Sequence, residues 1–179
     1  MFSVEQLNRV LRLDYPRHKV VDWHPVHYHL IELNDFDADL ASRFPDYLRQ
    51  LQHFSETGVA YTGFGDGEVY AMFGVFDLWP GVSQAWLIPS RQISKKTMSF
   101  HRAALRFFDF YAEQMCTNRI QITVCIANVS AHKWAKRCYF KSEGIMRNMV
   151  LTVLIMKCLQ RCFNVWFVWK AEAKERPES

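Results

Sequence analysis

An α+β fold, a central twisted mixed sheet flanked by helices, is the architecture this sequence predicts. Two observations carry that expectation. The apolar period is helical over residues 3–13 and 37–52, turns strand-like between 59 and 88, and then alternates helix, strand, helix, strand to residue 147. The chain has 179 residues, 50% apolar and 15% aromatic, enough to bury one core in a single domain. That content excludes intrinsic disorder, and seven Gly with six Pro exclude a collagen-like or linker-like chain.

Taken in order, Val4, Leu7, Val10, Leu11 and Leu13 fall at near-helical spacing and predict a short N-terminal helix. From Asp37 to Gln52 a second helix places Leu40, Phe44, Tyr47, Leu48 and Leu51 on one side, with Pro45 expected to kink or split it. Val59–Thr62 reads as a short strand, Gly63–Gly67 as a turn cluster, and Glu68–Leu78 as a longer strand rich in Val, Tyr and Phe. Trp79-Pro80-Gly81 turns the chain into a strand from Val82 to Ile88, making an antiparallel hairpin that Pro89-Ser90 ends. Ser94 or Thr97 is expected to cap a long helix to about Met115, burying Phe100, Ala103, Ala104, Phe107, Phe108, Tyr111 and Met115. Arg119–Ile126 suits a central strand, Ser130–Cys138 a short helix, and Phe140–Arg147 a further strand.

Two stretches test the domain boundary. Residues 149–169 are rich in Val, Leu, Ile, Met, Phe and Trp, but Lys157, Gln160, Arg161 and Asn164 interrupt them where a membrane-spanning helix tolerates charge least. Two buried strands, or a strand and a short helix, fit better than a membrane span. Residues 170–179 are polar and are expected to form a frayed tail, which leaves 1–169 as one domain. The first residues show neither a basic nor an apolar signal region, so no secretory signal is expected. Cysteines at 116, 125, 138, 158 and 162 are odd in number and form no paired framework, which suggests reduced thiols in a cytoplasm.

Charge is distributed unevenly. Residues 1–89 carry 6 Lys/Arg against 12 Asp/Glu, whereas residues 90–147 carry 11 against 3. An excess spread over a loop and two helices is either a set of solvated faces or a surface for a polyanion, such as cofactor phosphates, nucleic acid or an acidic partner. The run His24-Pro25-Val26-His27-Tyr28-His29 offers imidazoles for Zn or Ni, but nothing completes a site, and a partly exposed polar strand or loop is the preferred reading. Gly63-Phe64-Gly65-Asp66-Gly67 precedes a strand and reads as a hairpin turn instead of a nucleotide loop. Cys125 and Cys138 have no patterned base beside them, so nucleophilic catalysis is not supported.

The stretch from 82 to 147 carries a recognisable pattern. It comprises the strand Gln84-Ala85-Trp86-Leu87-Ile88-Pro89 and the basic loop Arg91-Gln92-Ile93-Ser94-Lys95-Lys96 opening a helix. The strand Gln121–Val124, then Asn128-Val129-Ser130-Ala131, and finally Tyr139-Phe140-Lys141-Ser142-Glu143-Gly144 complete it. These residues resemble the core of the GNAT superfamily of acyl-CoA-dependent acetyltransferases. The resemblance implies a GNAT-like sheet and a cofactor surface formed by Leu87, Ile88, Arg91, Ser94, Lys95, Lys96 and Asn128.

The sequence departs from that family where chemistry is done. A pyrophosphate is held by bare backbone N–H groups at a helix N-terminus, and the family's loop, Gln/Arg-x-x-Gly-x-Gly/Ala, supplies them. Here Arg91 fills the first position, while Ser94 and Lys96 replace the two small residues. No Asp or Glu occurs between Asp77 and Asp109 to serve as base, and the family's frequent Tyr acid is Ala135. Tyr139 replaces the Gly of the family's Gly-Phe pair and is expected to be a packing residue.

A basic loop without glycines, a Trp-containing strand and a Phe/Arg-rich helix resemble the degenerate GNAT-like proteins of short-tailed bacteriophages, of internal-virion or head-assembly type. That resemblance implies a role in virion assembly or DNA delivery, with other virion or assembly proteins as partners, in the host cytoplasm or the particle, and with acetyl transfer weak or lost. Acetyl-CoA is then a candidate cofactor not expected to bind tightly. The alternatives are an active N-acetyltransferase acting on an amine, and a nucleic-acid-binding module using the basic 90–147 surface.

Overall fold

The computed structural model describes residues 2–14, 16–146 and 151–157. In chain order its elements are α1 (Val4–Leu11), β1 (His18–Asp22), α2 (Pro25–Leu30), α3 (Asp35–Arg43), α4 (Tyr47–Thr57), β2 (Gly58–Gly65), β3 (Glu68–Trp79) and β4 (Val82–Pro89). A 3-10 stretch, Arg91–Lys96, leads into α5 (Thr97–Gln114), followed by β5 (Arg119–Cys125), α6 (Val129–Arg137), β6 (Lys141–Met146) and β7 (Leu151–Lys157). The seven strands form one sheet in the order β1-β2-β3-β4-β5-β7-β6. Only β4 and β5 pair in parallel, so the sheet is mixed and the predicted class holds.

Alternation along the strands divides the core in two. Phe73 and Val75 of β3 and Ala85 of β4 point to the face covered by α1, α5 and α6, where they meet Phe107, Phe108 and Tyr111. Met72 and Ile88 point the other way, to a smaller cluster with Leu51 of α4. α1 packs by Leu7 and Leu11, and the Ser3 hydroxyl caps it by accepting from the Gln6 N–H at 3.1 Å. Asn8 treats the edge strand as a partner: its side chain donates to the Val20 carbonyl at 2.8 Å and accepts the Val20 N–H at 2.7 Å. That satisfies backbone groups an edge strand otherwise exposes.

Several expectations need correction. The helix read from 37 to 52 is two helices, broken at Pro45, and the break leaves Phe44 exposed instead of on the buried side. The His-rich run is neither strand nor loop. Pro25 opens α2, where its missing N–H costs nothing, and the rings of His24 and His27 accept backbone N–H groups as a Ser/Glu capping box does. Among the described residues no group of His, Cys, Asp and Glu could hold a metal ion. Neither Ser94 nor Thr97 caps α5, whose N-cap position is Lys96 and whose first N–H groups receive no side chain. Met115 lies past the end of α5 and is exposed. β1 and β7 are strands the sequence did not single out, although β7 falls in the apolar stretch expected to hold one. Residues 158–179, with Cys158, Cys162 and the expected polar tail, lie outside the described residues. Among the described residues no helix is long and apolar enough to cross a membrane.

Tyr139 is a further correction. It is 71% exposed and packs against nothing of the core, with φ at +65°. Its N–H bonds the Lys136 carbonyl and the Phe140 N–H reaches back to Ala135, so the chain leaves α6 through a left-handed residue that ordinarily calls for glycine. Tyr139→Gly is therefore expected to stabilise the fold by about 0.5–1 kcal/mol, raising Tm by about 1–4 °C in a thermal melt.

His27 makes stability depend on pH. Its Nδ1 accepts the His24 N–H at 3.1 Å and lies 2.9 Å from the fully buried Thr62 hydroxyl, which leaves no room there for a proton. Burial first, and the neighbouring His24 second, hold its pKa below the ordinary 6.5. The unfolded chain then binds the proton more readily than the folded one. Stability is unaffected at neutral pH and falls as pH drops below about 6.5 toward the depressed folded value. Urea midpoints measured across that window are expected to show this decline in the native sequence and to lose it in His27→Gln.

Candidate functional site

The sheet opens at its centre. β4 and β5 pair only at Val82↔Arg119, Ser83↔Ile120 and Gln84↔Gln121. Beyond that register β4 runs on to Pro89 paired only with β3, and β5 runs on to Cys125 paired only with β7. Among the described residues Ala85–Pro89 and Ile122–Cys125 thus border a split with no ladder across it; the Ala85 carbonyl accepts Gln84 Nε2 and the Pro89 carbonyl accepts Asn34 Nδ2, which leaves the backbone around Leu87 to meet a ligand. Side chains seal its base: Gln121 Nε2 donates to Gln84 Oε1 at 3.0 Å, and Gln84 Nε2 reaches Thr123 Oγ1 at 3.4 Å.

At the upper end of β4, α5 presents its N-terminus. No side chain caps it, although the 3-10 stretch runs straight into it, and its aligned peptide dipoles favour an anion there. Lys95 is exposed and Lys96 half-buried beside it. α6, which follows β5, lies on the same face of the sheet as α5, and the helices meet where Phe100 stacks on Trp134 with ring centroids 5.5 Å apart. These rings bridge the two helices that follow the diverging strands and line the cavity beside them.

The expected cofactor residues fare differently. Leu87 lies on the α5 side of the sheet and lines a cavity there, as does Lys96. Ile88, at 1% exposure, is packed into the opposite core and pairs with Met72 of β3, so it offers nothing to the split. Arg91 is turned away: its guanidinium contacts the carboxylates of Asp35 and Glu32, and its N–H bonds the Glu32 carbonyl. Ser94 donates its hydroxyl to the Arg91 carbonyl at 3.1 Å, tightening the 3-10 turn. Asn128 is the N-cap of α6, its side-chain oxygen accepting the Ala131 N–H at 2.9 Å. Lys95, Lys96 and Leu87 therefore remain at the mouth, while Arg91, Ser94 and Asn128 hold the local backbone. Sequence reasoning missed Phe100 as a site residue because its helical spacing marked it only as core.

Chemically the split is poor in proton carriers. Neither β4 nor β5 bears a carboxylate, and Ala135 is wholly buried. Cys138 Sγ lies 3.5 Å from His101 Nδ1, but burial pushes the thiol up to about 12, where a thiolate is scarce.

No family model and no curated protein matches the chain. Solved structures do. One described as a probable acetyltransferase aligns with a TM-score of 0.59 at 16% identity, covering 79% of this chain and 93% of its own. An acetyltransferase of the GNAT family from Bacillus anthracis aligns at 0.60 and 10% identity, over 79% of this chain and 95% of its own. The ribosomal L7/L12 alpha-N-protein acetyltransferase RimL, in complex with coenzyme A, aligns at 0.60 and 12% identity, over 80% and 96%. The fold is that of the GNAT acetyltransferases. At these identities the likeness is one of fold, and within the GNAT fold this chain keeps the central split but surrounds it with a basic, glycine-free loop and an aromatic seam.

Proposed function

We propose that this chain is a GNAT-fold protein in which acetyl transfer is weak or lost, and that it acts in virion assembly or DNA delivery beside other virion proteins. The observation that carries this reading is the Phe100–Trp134 stack, which bridges α5 and α6 beside the split and narrows the space between them. Arg91, held by Asp35 and Glu32, and a split without carboxylates support the same reading. Transfer requires an amine nitrogen to attack the thioester carbonyl, the C–S bond to break, and protons to leave the amine and reach the thiolate. Water alone would have to move them here. The assembly role rests on the likeness of the basic loop and Phe/Arg-rich helix to the phage proteins named above.

Calorimetry with acetyl-CoA, together with thiol release from acetyl-CoA in the presence of polyamines and peptide amines, tests the first half. No saturable heat at micromolar protein and no thiol release above the protein-free rate are expected. Micromolar binding that is lost in Lys95→Ala/Lys96→Ala would overturn it. The assembly role is tested by peptide mass spectrometry of gradient-purified particles, in which the chain is expected at fixed stoichiometry; particles devoid of it refute that role.

A second reading has its own observation. The backbone around Leu87 and the start of α5, which no side chain caps, together suit a pantetheine arm and its pyrophosphate. When bound, acetyl-CoA would supply the activated acetyl group, with Lys95 and Lys96 as phosphate contacts. An active N-acetyltransferase is then the function, and the thiol-release measurement decides between the two.

A further inference from the structure

α1 builds one wall of a cavity that also reaches Leu87 and Lys96 at the mouth of the β4/β5 split. Between α1 and α5 on one side and β1–β4 on the other lies a cavity of about 510 Å³, within the range of small-molecule sites, about 300–1,000 Å³. Its inner surface is apolar, with Leu11, Val20, Phe73, Phe107 and Phe108 among the lining. Its mouth is cationic: Arg12, Lys19, Lys96 and Arg102 line it, and Asp14 is the one acidic residue among the described lining.

None of Arg12, Lys19 and Arg102 makes an ion pair among the described residues, although charged residues nearby do, as Arg17 does with Asp66. One buried ring nitrogen in the lining, Trp134 Nε1 on α6, has no hydrogen-bond partner among the described residues, while His18 Nε2 on β1 lies 3.9 Å from Asp66 Oδ2. An unmade bond of this kind is costly, and the indole can only donate. Arg12 reaches the mouth from a left-handed backbone at φ +53°, a conformation that costs an arginine energy. Apolar interior, unpaired cations and an unpartnered indole N–H call for the same complement: a chain of methylenes ending in an anionic, acceptor-only head.

We propose that this cavity binds a linear anionic amphiphile, a single apolar chain carrying a carboxylate or phosphate head, with the chain against Phe73, Phe107 and Phe108 and the head at Arg12, Lys19 and Arg102. Leu87, Lys96, Phe100 and Trp134 border both this cavity and the split, whereas Arg12 and Lys19, which face the head, stand on the α1 and β1 side of it.

Titrations of the full chain below the micellar concentration, read by calorimetry and tryptophan fluorescence, use dodecanoate, dodecyl phosphate, decanoate and 1-dodecanol as probes. Dodecanoate or dodecyl phosphate is expected to saturate one site per chain, and the tighter of the two identifies the head. Decanoate is expected to bind more weakly than dodecanoate by about fourfold per methylene removed. The uncharged alcohol is expected to be at least about tenfold weaker than the acid, and Arg102→Glu to weaken the acid by a similar factor. Ala103→Trp, which fills the cavity from α5, is expected to abolish binding while circular dichroism stays native; should that variant unfold, Arg102→Glu, on an exposed position, carries the test. Absence of saturation by both anionic probes, equal affinity for acid and alcohol, or indifference to Arg102→Glu each overturns the proposal.

Discussion

Phe107→Ala is expected to cost about 3–5 kcal/mol and to lower Tm by about 6–20 °C, measured by urea and thermal unfolding. Phe107 is the hub of the larger core. Its ring meets Phe73 edge-on at 5.0 Å and Tyr61 edge-on at 6.3 Å, and it also touches Phe108 at 5.8 Å and Tyr111 at 6.2 Å. The alanine forfeits those contacts and enlarges a space that is already hollow, because Phe107 lines the cavity beneath α1. Neighbours cannot collapse inward to relieve it, which places the cost toward the upper end for such truncations. Phe107→Leu keeps most of the volume and is expected to cost less than about 1.5 kcal/mol. Equal losses from both substitutions would show that the ring's contacts do not organise the core.

The second large effect comes from adding atoms. Gly74 sits mid-strand in β3, and a Cβ there would lie 2.4 Å from the Val59 carbonyl oxygen and 2.7 Å from Trp86 Nε1. One clash is with backbone in a paired strand and the other with an indole packed against the second core, so neither yields easily. Gly74→Ala is expected to destabilise by about 1–3 kcal/mol through overpacking. Gly63→Ala is the control, since the nearest atom to its added Cβ is 3.8 Å away, and it is expected to be close to neutral. Urea midpoints of the two variants, measured side by side, separate a specific clash from a general intolerance of strand glycines to substitution.

Much of the fold was legible because side-chain pattern and backbone agree there. Pro80-Gly81 turns β3 into β4, Pro45 divides α3 from α4, and the period of Phe107, Phe108 and Tyr111 marks the buried side of α5. What escaped notice lacks such agreement. His18–Asp22 is a five-residue edge strand whose partner on its outer side is the side chain of Asn8, so it shows no apolar run. α2 is capped by histidines, which are rarely read as caps. Lys96 and Tyr139 stand at positions where glycine or a small polar residue is the usual signal, so the boundaries of α5 and α6 were blurred.

The site was legible only in part. The loop and the strand before it are marked by their residues, but the contact of Arg91 with Asp35 and Glu32 is not, because those partners are remote in sequence. The central split is a property of backbone pairing and leaves no mark on side-chain type. The cavity beneath α1 arises from how a helix lies across a sheet, and its cations come from three separate elements.

The insertion of β7 between β5 and β6 has a consequence for biosynthesis. Two strands leave the ribosome before the one that will join them, and β5 meanwhile has only its three parallel pairs with β4 to hold it. Translation from Met146 to Lys157 takes about 0.5–2 s at ~5–20 residues per second. Until β7 arrives, the edges of β5 and β6 that it will pair are both open, and a chaperone or a neighbouring nascent chain can grip them.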